Sequence, residues 1–253
     1  SAERWGSEGE KQGSGVELRE ALTTARHLVI IGGPGVGKST LIRFLARQCA
    51  AGPRELQVRL GWAEDLTPVV VPLAAFADAR RTQSDLDLRG FIDQQMMVRG
   101  EEALRNAVRQ EFDNGCVFAL LDGVDEIPGS AEGSSIVREV ESFMAGLGAN
   151  RCLVSSRPYG YIQIAGNPAQ YELSVFSPEQ VESFVRAWQR AFDRWRQHGS
   201  ANVEEADAEA EEMLAEIKRN PKVAELATNP LILVIISLIR SENTRLPEQR
   251  VEL

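Results

Sequence analysis

The run Gly32-Gly33-Pro34-Gly35-Val36-Gly37-Lys38-Ser39-Thr40 follows directly on the apolar stretch His27-Leu28-Val29-Ile30-Ile31. This arrangement constrains the fold more than any other feature of the chain. A buried strand ends in a turn of glycines, and the turn opens a helix, because Leu41, Phe44, Leu45 and Gln48 recur at helical spacing. Gly32, Gly33, Gly35 and Gly37 let the backbone curl so that successive N–H groups point inward as an anion nest. The helix N-terminus adds the positive end of its dipole. Lys38 then reaches the outer phosphates of a nucleotide, and the Ser39 hydroxyl is placed to ligate Mg²⁺. Residues 32–40, with Pro34, Val36 and Thr40 included, read as a Walker A phosphate-binding loop.

A second segment fits the first. Cys116-Val117-Phe118-Ala119-Leu120-Leu121 is an unbroken apolar run of strand length, followed by Asp122-Gly123-Val124-Asp125-Glu126. An unbroken run suits a strand covered on both faces. Asp122 stands at its carboxyl end, where ligands of open α/β sheets collect, and its carboxylate suits the Mg²⁺ shell. Asp125 and Glu126 lie just beyond, within reach of an attacking water. The long gap between the two motifs leaves room for a further strand, expected at Val69–Leu73 and placed in space between the two motif strands. A third segment, Arg151-Cys152-Leu153-Val154-Ser155-Ser156-Arg157-Pro158, brings Ser155 and Ser156 beside the tip of the Asp122 strand. Arg157 emerges on the nucleotide side, where an arginine can sense or stabilise γ-phosphate charge. No Asn-Lys-x-Asp guanine-reading segment occurs, so an adenine nucleotide, ATP or ADP with Mg²⁺, is the expected ligand.

The remaining chain frames these motifs. Residues 1–15 are rich in Gly, Ser and charge and read as a linker or flexible terminus. Residues 16–176 are expected to form the nucleotide-binding domain. Val16–Ala25, Phe91–Phe112 and Ile136–Leu147 read as helices, and Leu56–Leu60, Cys152–Ser155 and Tyr171–Val175 as strands. After Ser177-Pro178-Glu179-Gln180, a capping box with proline at the first helical position, residues 177–253 read as helices only. The expectation is an α/β fold: a doubly wound, five-stranded parallel sheet of the additional-strand P-loop type, then an all-helical subdomain. A formal charge of −9 argues against direct nucleic-acid binding. The longest apolar run, Leu231–Ile239, is too short to span a membrane. Three scattered cysteines suggest neither disulfides nor a Cys/His metal site and fit a reducing, cytoplasmic setting. The first residue is Ser and the last segment has no terminating signal, so the chain is expected to be a piece of a longer protein.

These segments together resemble a NACHT domain, the signal-transducing P-loop ATPase module of NOD-like receptors and their bacterial relatives. The resemblance rests on Gly32–Thr40, Leu120–Glu126 and Ser155–Pro158, then Phe176–Gln180, Asn229–Leu233 and Leu246–Leu253. The Asp122-Gly123-x-Asp125-Glu126 variant, with its small residue after the Mg²⁺ aspartate, is its most specific element. The resemblance implies phosphate and Mg²⁺ contacts for Lys38, Ser39 and Thr40, a metal role for Asp122, catalysis by Asp125 and Glu126, and a sensor role for Arg157. Pro230 resembles the proline that packs near the adenine, and a helix-start proline is the plainer alternative. Family members continue into a winged-helix subdomain, of which this chain reaches only the threshold. The implied activity is a slowly hydrolysing ATP switch that controls self-association, with effector and sensor domains elsewhere and a role in signalling or antiphage defence. Two alternatives stand beside it: an AAA+-like turnover ATPase acting on protein or nucleic acid, and a nucleotide-locked scaffold that does not hydrolyse.

Other features read as structural. Phe184, Trp188, Phe192 and Trp195 form a stripe at helical spacing expected to face a core, with Arg186, Arg190 and Arg194 on a solvated back. Glu204–Glu212 reads as an exposed helix or mobile connection, and His27 and His198 as isolated, non-catalytic residues.

Overall fold

A computed structural model describes residues 2–4, 15–62, 64–98, 102–127, 130–158, 163–197 and 202–241. The chain divides into two compact units: Ser1–Pro34 with Lys38–Ser174, and Gly35–Gly37 with Val175–Leu253.

The first unit is built on a sheet in which β2 (His27–Ile31), β3 (Thr67–Pro72), β4 (Val117–Asp122), β5 (Arg151–Ser156) and β6 (Ala169–Leu173) run parallel. A sixth strand, β1 (Ala2–Arg4), pairs antiparallel with β6. It lies within the stretch read from sequence as a linker. The spatial order is β1-β6-β2-β5-β4-β3. This corrects one expectation: the strand between the two motif strands is β5, and β3 lies at the sheet's edge. Backbone chemistry gives the reason. Pro68 and Pro72 of β3 carry no N–H, which suits an edge strand, whereas all six residues of β5 are buried.

Side-chain alternation divides the core. Val29, Ile31, Val69, Val71, Ala119, Leu121, Cys152 and Val154 share one cluster, with Phe76 of α4 (Leu73–Thr82), Phe91 of α5 (Leu88–Val98), Phe112 of α6 (Glu102–Asn114) and Phe143 of α7 (Ser130–Ala145). Leu28, Ile30, Phe118, Leu120, Leu153 and Tyr171 form the other, with Leu22 of α1 (Leu18–Thr24), Leu45 of α2 (Lys38–Ala50) and Leu56 of α3 (Pro53–Leu60). Helices therefore cover both faces, as in a doubly wound sheet. Leu56–Leu60 is helix where a strand was expected, and the expected long helix over Phe91–Phe112 is two helices, α5 and α6. Among the described residues no helix lies between β5 and β6. Cys49 and Cys152 are buried free thiols, and burial pushes the Cys49 pKa up to about 11. Cys116 precedes β4 and is half-buried, not a member of the strand.

Two buried polar side chains fix where β4 and β5 begin. The Asn150 amide donates to Phe112 O (2.8 Å) and Leu147 O (2.7 Å), while its Oδ1 accepts the Val117 N–H at 2.8 Å. Arg151 pairs with Glu64 (Nε to Oε2, 2.7 Å), donates to Leu22 O (3.0 Å) and Ala25 O (3.2 Å), and lies over the Trp62 ring. The Arg151 hydrogen bond holds the Glu64 carboxyl below its usual range. Because the folded value is depressed, this stabilisation is present above the ordinary carboxylate range and is lost as pH falls through the folded value. Because the Glu64 carboxylate left behind is partly solvated, Arg151→Ala is expected to cost about 1–3 kcal/mol at neutral pH. The difference from wild type should narrow below about pH 4; urea unfolding at both pH values measures it.

The second unit contains α8 (Pro178–Arg196), α9 (Val203–Arg219), α10 (Pro221–Leu226) and α11 (Pro230–Ser241) around Val181, Val185, Met213, Leu214, Ile217, Leu233 and Ile236. The capping box forms: Ser177 Oγ accepts the Gln180 N–H (3.3 Å) and Gln180 Oε1 accepts the Ser177 N–H (2.9 Å). The core face of α8 is Val181 and Val185. Its aromatic stripe lies to the flank, with Phe184 packed at the cluster's edge and Trp195 75% exposed, so the stripe is not the core face that was expected. Nor is the arginine side merely solvated. Arg186 pairs with Glu182 and Glu211, and Arg190 with Asp207, which ties α8 to α9. The acidic run sits on α9 with Ala206 and Ala210 turned inward. Asn229 caps α11 by accepting the N–H groups of Leu231 (3.0 Å) and Ile232 (3.3 Å), and Pro230 takes the first helical position. Within this unit the Leu231 N–H also donates to Gly35 O at 3.2 Å. Gly35 and Gly37 have φ of 76° and 100°, the left-handed region that glycine tolerates best. Among the described residues no helix is long and apolar enough to cross a membrane.

Candidate functional site

The first unit gathers Gly32, Gly33, Pro34, Lys38, Ser39, Thr40, Asp122, Asp125, Glu126 and Arg157 at or just beyond the carboxyl ends of β2, β4 and β5. Gly35, Val36, Gly37 and Pro230 belong to the second unit and are described there. His27 opens β2 half-buried, and burial lowers its imidazole pKa; His198 lies outside the described residues.

On the phosphate side, β2 does not end abruptly. Gly32 extends its ladder by donating to Ser156 O at 3.1 Å. Helix α2 begins at Lys38, three residues earlier than its apolar spacing suggests, so Lys38, Ser39 and Thr40 occupy its first turn. The Lys38 ammonium folds back to donate to Gly32 O (2.6 Å) and Gly33 O (3.1 Å). Burial lowers its pKa, opposed first by the charge of Asp125, while Arg157 adds to the lowering and Asp122 and Glu126 oppose it. One ammonium and one guanidinium thus share a field with three carboxylates.

On the carboxylate side, Asp122 ends β4 with the same parity as Phe118 and Leu120, and Ser155 has the parity of Leu153. Both side chains therefore leave the sheet on the face that α2 covers. Ser155 Oγ donates to Asp122 Oδ1 at 2.6 Å and accepts the Gly123 N–H at 2.8 Å. Gly123 has φ of 79° and leads into a single 3-10 turn, Val124–Glu126. A Cβ on Gly123 would lie 3.0 Å from Glu126 Cδ and 3.1 Å from its Oε2. That explains the small residue after the aspartate. Gly123→Ala is expected to push the Glu126 carboxylate aside and add about 1–2 kcal/mol of backbone strain. The strain should lower the melting temperature with nucleotide affinity retained; thermal melts beside binding titrations test this.

Arg157 faces two acids. Its backbone N–H donates to Asp125 Oδ1 (2.9 Å), its Nε lies 3.0 Å from Asp125 Oδ2, and its Nη2 lies 3.7 Å from Glu126 Oε1. The Asp125 side chain is 4% exposed and Glu126 54%. The adjacent acids therefore sit in different environments. Both oxygens of Asp125 are engaged in holding Arg157, while Glu126 is open to water.

Among the described residues no group of three or more His, Cys, Asp or Glu could hold a metal ion. A divalent ion here would draw on Asp122, the Ser39 hydroxyl, water and the phosphates of a nucleotide. That oxygen-only set with few protein ligands fits Mg²⁺. Sequence reasoning missed Ser155 as a site residue. The available signal was its position at the end of an apolar strand, immediately before Ser156-Arg157.

The family model for the NACHT domain matches residues 26–191. No curated protein matches the chain. Among solved structures, that of C. elegans PCH-2 is similar at 13% identity and a TM-score of 0.41, over 85% of this chain and 62% of that one. This chain thus spans less than two thirds of that protein's length. The matched stretch runs from the residue before β2 through most of α8 and takes in all three motif strands and well over half the chain; this chain belongs to the NACHT family of P-loop NTPases.

Proposed function

We propose that the chain binds ATP and ADP with Mg²⁺, hydrolyses ATP slowly, and uses the difference between the two nucleotides to switch self-association. The observation that carries this reading is the hold of Arg157 on Asp125. A γ-phosphate offers the guanidinium a competing anionic partner, and a ligand shifts an equilibrium only by such a differential interaction. Lys38, released from the Gly32 and Gly33 carbonyls, binds the outer phosphates. Ser39 and Asp122 hold the Mg²⁺ shell, and the ion supplies charge neutralisation at the phosphates. Glu126 orients the attacking water, and Asp125 positions Arg157 rather than acting on water itself. Once the γ-phosphate leaves, Arg157 returns to Asp125. The family resemblance implies nucleotide contacts for Gly35, Val36, Gly37 and Pro230 as well.

The wider role follows the family resemblance: a cytoplasmic, bacterial signalling or antiphage defence protein whose effector and sensor domains lie in other parts of it. Nucleotide released from the purified protein is expected to be adenine, mainly ADP. Incubation with Mg²⁺-ATP should raise the assembly mass, and turnover should stay well below the roughly 1 s⁻¹ low end of ordinary enzymes. Bound guanine nucleotide, or none, would refute the reading. A fast rate stimulated by protein or nucleic acid would favour the turnover ATPase, and hydrolysis unchanged by loss of Asp125 and Glu126 the locked scaffold.

A further inference from the structure

A serine hydroxyl has one proton to give and two lone pairs with which to accept. Ser155 spends the proton on Asp122 Oδ1 and one lone pair on the Gly123 N–H, and the residue is 1% exposed. Water is thereby excluded as a competing partner, and the hydroxyl rotor has a single orientation that satisfies both bonds. Asp122 Oδ2 accepts no hydrogen bond among the described residues, so one carboxylate oxygen is tied down and the other is left for a ligand. The second bond reaches further. The Gly123 N–H is the first donor after β4, and the Glu126 N–H in turn bonds to Gly123 O at 3.1 Å. One hydroxyl therefore sets both the plane of the Asp122 carboxylate and the angle at which the turn carrying Glu126 leaves the sheet. The neighbouring hydroxyl does neither, because Ser156 Oγ donates to Arg157 O at 3.1 Å.

We propose that Ser155 is a positioning residue for the divalent ion, holding Asp122 in the one orientation that presents Oδ2 to the metal. The inference rests on the Mg²⁺-nucleotide reading above. Partners that orient a metal ligand typically change metal affinity by about 10- to 100-fold when removed.

The test uses the whole chain, ADP, and Mn²⁺ as a paramagnetic probe followed by electron paramagnetic resonance. Ser155→Ala is expected to weaken Mn²⁺ binding in the ADP complex by about 10- to 100-fold. ADP affinity in EDTA should stay at the wild-type value. Ser155→Thr, which keeps the hydroxyl, should restore Mn²⁺ binding, and Ser156→Ala should leave it unchanged. If Ser155→Ala does not fold, Ser155→Cys serves in its place, since the thiol fills the same space but is a weak donor. Wild-type Mn²⁺ affinity in the Ala or Cys variant, failure of Thr to restore it, or an equal loss of metal-free ADP binding would overturn the proposal. A wild-type protein that holds no ADP-Mn²⁺ would overturn the nucleotide reading and this inference together; normal wild-type binding with an unaffected Ser155 variant would overturn this inference alone.

Discussion

Arg157→Ala should lower ATP hydrolysis by about three orders of magnitude, the low end of what a charge-stabilising arginine supplies in phosphoryl transfer. The same change strips Asp125, a carboxylate 4% exposed, of its guanidinium partner. Its Oδ1 keeps the backbone N–H of residue 157, which survives the substitution, so the stability cost should be about 1–3 kcal/mol rather than that of a fully orphaned buried charge. Catalysis and stability can then be separated. Adding Asp125→Asn to Arg157→Ala removes the buried charge while keeping an acceptor for the N–H. The double variant should recover most of the thermal stability and none of the hydrolysis. Thermal melts and single-turnover assays on the two proteins decide it; recovered hydrolysis would mean that Arg157 serves the fold and not the phosphate.

The second large effect is expected at Lys38. Lys38→Ala removes a cation that makes charge-assisted bonds to phosphate oxygens, each worth about 1.5–3 kcal/mol. Two such bonds correspond to a loss of about 10²- to 10⁴-fold in nucleotide affinity. In the nucleotide-free protein the same variant loses the part-buried bonds to Gly32 O and Gly33 O and a cation that faces Asp125, Asp122 and Glu126, so its melting temperature should fall by no more than a few degrees. Binding by calorimetry with melts in the absence of nucleotide tests both halves. A large stability loss would recast Lys38 as a clamp on the loop.

The parts of the fold legible in the sequence were those in which chemistry requires a particular local geometry. The glycine turn needs a strand before it and a helix after it, so β2 and α2 could be read together. The unbroken apolar run of β4 and its terminal Asp122 were legible for the same reason. Spatial order was harder, because strands adjacent in sequence need not be adjacent in the sheet. The signal for β3 lay in Pro68 and Pro72, which cannot serve a strand hydrogen-bonded on both sides. Leu56-Gln57-Val58-Arg59-Leu60 alternates in period two and imitates a strand. The structure buries Leu56 and Leu60 and leaves Val58 74% exposed, the i, i+4 pattern of a helix entered through Pro53 and left at Gly61. In the site, residue types pointed to Asp125 and Glu126 alike. Only packing separates their surroundings, because both oxygens of Asp125 meet Arg157 and that contact has no signature along the chain.

The central place of β5 has a consequence for how such a protein can vary. A strand that keeps six consecutive residues buried has its register fixed by packing, and a slip of one residue would turn every side chain to the opposite face. Here that slip would exchange Ser155 for Ser156 beneath the Asp122 carboxylate and carry Arg157 off its acid. The geometry of these polar contacts is thus indexed to hydrophobic shape: Cys152, Leu153 and Val154 act as the teeth that hold the setting. Variation in those three residues should shift the Asp122–Ser155 and Asp125–Arg157 contacts without touching a charged group.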